Sequence, residues 1–86
     1  MTIEKHDLVH ELPEYRDLIH ELKMQDNHFA RLFDEYHETD HEIHRIETNA
    51  EIASDEYLEE LKIKRLRLKD ELFEIIKKAE EARQSA

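Results

Sequence analysis

Five residues, His37-Glu38-Thr39-Asp40-His41, match H-E-x-x-H, the helical motif in which two histidines bind zinc and the glutamate serves as a base. Two imidazoles on one helix face supply two ligands readily and a closed shell rarely. A catalytic zinc also needs a third ligand, an open coordination position and a walled cavity. In the heptad that puts Tyr36 in a core, His37 and His41 fall on the outer face, with Glu38 beside them in water. A hydrolase is therefore the least supported reading, and His37, His41 and His44 form at most a weak or regulatory metal set. The chain has seven histidines, a side chain that titrates near neutral pH. Protonating all seven would carry the formal charge from −10 to −3. A histidine-based metal or pH-responsive regulator is the alternative function on these grounds. The plainer reading is a solvated polar face.

A second charged feature runs through residues 62–69, where Lys62, Lys64, Arg65, Arg67 and Lys69 stand with no acid among them. Such a run could contact phosphates, but no aromatic residue is interleaved and the whole chain is acidic, with a pI near 5.1. Residues 34–42 carry the complement, Asp34, Glu35, Glu38, Asp40 and Glu42, with no Lys or Arg. Internal neutralisation is the expectation, and neither nucleic acid nor an anionic membrane is an expected partner. The absence of cysteine removes disulfides, thiolate metal sites and a cysteine nucleophile. No stretch approaches the roughly 20 apolar residues of a membrane span. Met1–Leu12 has no apolar leader core, so a cytoplasmic location is expected. No cofactor is implied.

The elements that must position these residues are helical. Eighty-six residues without glycine, with one proline, 42% charged and 38% hydrophobic, make one small domain built from long exposed helices. Two apolar stripes decide the arrangement. Phe29, Leu32, Tyr36, Ile43 and Ile46 form the first, and Leu58, Leu61, Leu68, Leu72 and Ile75 the second. Both step by three, four or seven residues, the a/d spacing of a packed helix seam. Folded back on each other, they match layer for layer, and in every pair the two residue numbers add to 104. Thr39 and Arg65 fill the one polar layer. A polar residue there can set register at some cost in stability, with the guanidinium reaching out to Asp40 or Glu42.

The expected boundaries follow from caps. Residues 1–12 read as a variable, mixed N-terminal tail. Pro13 opens a short helix 1 over about 13–24, with the one-sided stripe Tyr15, Leu18, Ile19 and Leu22. Asp26 caps a helix 2 over about 27–48. Asn49–Ala53 holds no strong turn former. Ser54 caps a helix 3 over about 55–83, and Gln84–Ala86 should fray. The hairpin thus occupies 26–83.

A further apolar stripe lies on helix 3 away from the seam: Ile63, Leu66, Phe73 and Ile76. A two-helix hairpin leaves it in water, and a patch of that kind implies a partner or a covering element. Helix 1 is the obvious cover. Running parallel to helix 3, it would bring Leu22 near Ile76 and Leu18 or Tyr15 near Phe73 or Leu66. Detached, it would leave the stripe as a dimer or partner face.

The runs PEYRDLIHELK (13–23), HFARLFDEYHETDHEIHRIE (28–47) and LRLKDELFEII (66–76) resemble the YdcH-like family of small, uncharacterised bacterial proteins, over about residues 13–80. The resemblance implies a coiled-coil-like fold similar to rod segments of myosin and kinesin heavy chains. Some relatives carry a GTP-binding label, which has no support in a chain without a glycine-rich phosphate loop. Asn27 stands where many relatives have proline, and Thr39 where leucine is frequent, so helix 2 should be looser at both. The expectation is an all-α, coiled-coil-like antiparallel helical hairpin with a short N-terminal helix. It would act as a non-enzymatic protein–protein interaction or self-association module, homodimer included.

Overall fold

The computed structural model describes residues 12–85. The tail expected over residues 1–12 lies, apart from Leu12, outside the described residues. One turn of 3-10 helix, Pro13–Tyr15, leads into α1 (Arg16–Gln25); α2 (Asn27–Glu47) and α3 (Asp55–Ser85) follow, and no strand occurs among the described residues. α2 and α3 form an antiparallel helical hairpin, and α1 packs at one end of it. Thirty-one residues of α3 rise about 46 Å at 1.5 Å each, close to the 49 Å long axis of a molecule 49 × 30 × 17 Å across. α3 continues through Ser85, so Gln84 and Ser85 are helical where fraying was expected.

Short polar side chains punctuate the helices. Pro13 occupies the first turn, where its missing N–H costs nothing, and the Tyr15 amide donates to the Leu12 carbonyl at 3.0 Å. Asp26 both ends α1 and begins α2. Its backbone N–H donates to the Leu22 carbonyl at 2.8 Å, while its carboxylate accepts from the amides of His28 and Phe29 at 3.0 and 3.1 Å. Those bonds satisfy amides that a helix start otherwise leaves orphaned. The cap forms with Asn27 as the first residue of α2. One extended residue therefore separates two helices, and α1 must fold back sharply.

The hairpin turn corrects one expectation. Asn49 is the turn former, at φ 63° in the left-handed region, which asparagine tolerates better than other non-glycine residues. Its N–H donates to Ile46 O at 3.1 Å and the Ala50 N–H to Arg45 O at 2.8 Å. That double closure of a helix end usually recruits glycine; in a glycine-free chain asparagine supplies it. Ser54 then opens α3, its hydroxyl accepting from the Tyr57 amide at 3.1 Å.

Two apolar clusters hold the hairpin. Ile43, Ile46 and Leu61 are buried together at the turn end, with Ala53 and Leu58 against them. At the other end Phe29, Leu32, Phe33, Tyr36, Leu68, Leu72 and Ile76 join Leu18 and Ile19 of α1. Ile43 and Leu61 share one cluster and Leu32 and Leu72 the other, as the layer matching requires. Between the clusters lies Thr39, 4% exposed, beside the ion pair of Arg65 with Asp40 at 2.7 Å. Two further links cross the seam, Tyr57 to Glu42 at 2.5 Å and Lys62 to Glu47 at 3.2 Å. Arg65 pairs with the residue next to its layer partner Thr39, whereas Tyr57 and Lys62 each reach a residue five positions from theirs. The layer matching sets position 62 opposite 42, yet the lysine reaches Glu47, and Glu42 accepts from Tyr57.

The three-helix end is also rotated from a plain two-helix seam. Ile76 is fully buried, while its neighbour Ile75, the expected core position, is only partly so. Phe33 is buried as well, although it lies outside the seam stripe. Both turn toward α1. The deepest position of three packed helices is their common axis, not the line between two of them.

Candidate functional site

Two sets of residues were singled out by their chemistry, and the structure treats them differently. His37 does not stand on the open outer face. It is half-buried, its ring tilted against Phe33 with centroids 4.3 Å apart and edge-on to Tyr36 at 5.2 Å. Its Nδ1 lies 2.9 Å from the Phe33 carbonyl, an acceptor that fixes the proton on Nδ1. His41 and His44 are exposed. Among the described residues no three His, Asp or Glu side chains come together as a metal-ligating group. The H-E-x-x-H spacing places its two histidines in unlike settings: packing draws His37 back onto its own helix and leaves His41 in water.

The apolar stripe on α3 is divided by α1. Tyr15 meets Phe73 edge-on, with centroids 6.3 Å apart and planes at 75°. Its hydroxyl donates to Glu80 Oε1 at 3.4 Å, and Lys77 Nζ donates to the same oxygen at 3.2 Å. That bond to Glu80 raises the Lys77 ammonium above its ordinary value, with the Tyr15 oxygen adding to the effect. Further along, Glu21 pairs with Arg83. Contacts advance in the same sense on both helices, so α1 runs with α3 over its C-terminal part. Lys23 closes the other side, its Nζ 4.3 Å from the Phe33 ring centroid.

Of the four residues proposed as an interface, Ile76 is therefore removed: it is 0% exposed, sealed in the core by α1. Phe73 is 40% exposed under Tyr15, whereas Ile63 at 52% and Leu66 at 60% stay in water. These two sit one turn apart on the outer side of α3, between Glu59 and Asp70 at the same heptad positions. Around them Lys62 and Arg65 are engaged with Glu47 and Asp40. Lys64 and Arg67 form no ion pair among the described residues. A separate groove of about 710 Å³ follows the outer side of α1 to Arg83. Acid and base alternate along it as Arg16, Asp17, Glu21 and Lys23, so it presents no single charge.

Phe33 and Ile19 carry much of this arrangement. A signal for Phe33 existed, since Phe29, Phe33 and His37 form an i, i+4 row beside the seam stripe, the mark of a helix with neighbours on two sides.

The family model described as "Protein of unknown function (DUF465)" matches residues 29–76, more than half of the chain. The chain belongs to this family. It is 41% identical over 64 residues to "Uncharacterized protein YdcH" of Escherichia coli (strain K12), covering 74% of this chain and 86% of that protein. The protein of the same description from Shigella flexneri matches to the same extent. No solved structure matches. The DUF465 match begins at Phe29 and ends at Ile76, so it takes in most of α2, the turn and α3 as far as Ile76, the exposed Ile63–Leu66 pair included, and stops short of α1. No helix among the described residues is long and apolar enough to cross a membrane.

Proposed function

We propose that this protein is a non-enzymatic helical module that binds another protein chain through the outer face of α3. The observation that carries the reading is the contrast along that face. α1 seals Ile76 and lies against Phe73, which stays 40% exposed, while Ile63 and Leu66, continuing the same heptad line, are left more than half exposed. Water-exposed isoleucine and leucine a turn apart, on a helix already packed on its other side, have the form of an unfilled helix-packing seam. A molecule 17 Å thick in its smallest dimension is two helices deep, which favours surface recognition over an enclosed reaction site. The histidine alternative gains nothing from the geometry, since among the described residues no three ligating side chains converge.

The test compares the tagged full chain with its Leu66→Ala variant. Capture from a native lysate and sedimentation should show an association that the wild-type chain makes and the variant loses, with helicity unchanged by circular dichroism. Identical profiles for the two chains would remove the reading.

A further inference from the structure

α1 shows that the outer face of α3 packs against a helix. It brings Tyr15 onto Phe73 and buries Leu18 and Ile19, and its flanking acid Glu21 meets Arg83 of α3. An amphipathic helix of mixed charge thus already occupies the C-terminal stretch of this face. The uncovered stretch from Glu59 to Asp70 is about 18 Å long, a little over three turns. It is more basic than the stretch α1 covers: Ile63 and Leu66 lie at the centre, Lys62 and Lys69 along one edge and Arg67 on the other. Between residues 62 and 69 this part of α3 carries no acid, in a chain whose net charge is −10. Lys62 keeps 43% of its side-chain surface exposed while paired with Glu47.

We infer that the stretch around Ile63 and Leu66 seats an acidic amphipathic helix of another protein, in line with α1. This rests on the interaction reading above and names the partner's chemistry. Two or three large apolar residues at heptad spacing would cover Ile63 and Leu66, and glutamates or aspartates flanking them would face Lys62, Arg67 and Lys69. A second copy of this chain fits poorly. Antiparallel pairing of Ile63 with Leu66 sets Glu59 against Asp70 along the seam and Lys62 against Lys69 at one edge. Parallel pairing sets Glu59 and Asp70 each against itself and Lys62 against Arg67. Like charges so placed oppose association.

The experiment uses the full chain and two fluorescent synthetic peptides, read by anisotropy. Each is a 21-residue helix with leucine at heptad a and d; one carries glutamate at e and g, the other lysine. The glutamate peptide should bind. Leu66→Ala should weaken it about tenfold, the range of a central apolar contact, and Arg67→Glu several-fold, with circular dichroism unchanged for both variants. Rising salt should weaken it further. Lysine-peptide binding that is stronger and sensitive to Leu66→Ala would overturn the acidic assignment while leaving the face an interaction surface. A dimer that Leu66→Ala dissociates would overturn it in favour of a second copy. Binding that emerges only after residues 1–11 are removed would assign the seat to the chain's own N-terminal segment. If neither peptide senses Leu66→Ala, the acidic-helix assignment fails. If in addition the lysate profiles of the two chains are identical, the interaction reading fails with it.

Discussion

The two ends of the hairpin use the same kind of seam and reach different degrees of burial. Where α1 joins, nine buried side chains form one cluster, among them Ile19, Phe29, Leu72 and Ile76 at 0% exposure. At the turn end only Ile43, Ile46 and Leu61 are buried, and the back of α3 stands in water. Both ends carry matched apolar layers, so the difference does not come from the α2–α3 pairing. It comes from the third helix. α3 is apolar on two sides, a partner on one side hides only one of them, and α1 is long enough to hide only the C-terminal part of the other.

Truncations should sharpen that contrast most. Leu72→Ala, inside the three-helix cluster, should cost about 3–4 kcal/mol in urea unfolding, because walls on every side prevent the cavity from collapsing. Ile43→Ala, as fully buried but walled by two helices, should cost nearer 2 kcal/mol. Equal or reversed costs would break the comparison. Stability should next respond to the polar layer that divides the clusters. Arg65→Leu should change it by no more than about 1 kcal/mol, and upward if at all. The guanidinium is 35% exposed and the Asp40 side chain 17%, so the pair is only partly desolvated. Slipped or larger assemblies in sedimentation would mark the loss of a register device. A destabilisation above about 2 kcal/mol would show instead that Asp40 is stranded without its partner.

On the uncovered face, Ile63→Ala and Leu66→Ala should each shift stability by about 0.5 kcal/mol or less. The same change at buried Ile76 should cost about 3 kcal/mol. Calorimetric melts on the three variants would test whether α1 alone separates these neighbours. The smallest effect is electrostatic and belongs to the turn end. The hydrogen bond to the Glu42 carboxylate raises the Tyr57 hydroxyl above its usual value, with the Glu42, Glu51 and Glu60 charges adding to it. A raised folded-state value means the bond contributes below the free-tyrosine pKa of about 10 and is lost as pH rises through the folded value. Phenolate absorbance should show Tyr57 ionising later than free tyrosine, and Glu42→Gln should bring it back down.

Periodicity was legible because a helix seam is a one-dimensional code. The a/d spacing and the layer matching named Leu32, Tyr36, Ile43, Leu61, Leu68 and Leu72 as core and set Arg65 beside Asp40, and Asp26 and Ser54 were readable because caps act over a few residues. The turn was not read, since glycine was the signal sought and Asn49 performs its role. His37 was misplaced because heptad position gives an angle around the helix and says nothing of a ring folding back onto its own backbone.

The amino-acid sequence by itself determined an all-α antiparallel hairpin, its register and the existence of a second apolar side on α3, all of which follow from residue spacing along single helices. Only the tertiary structure decided how that second side is shared. One extended residue, Asp26, turns α1 back onto the hairpin. Tyr15 then meets Phe73, Glu21 meets Arg83, Ile76 and Phe33 go under, and Ile63 and Leu66 stay out. No local pattern specifies how far a third helix reaches, because that depends on where its few long-range contacts balance the geometry of a single-residue link.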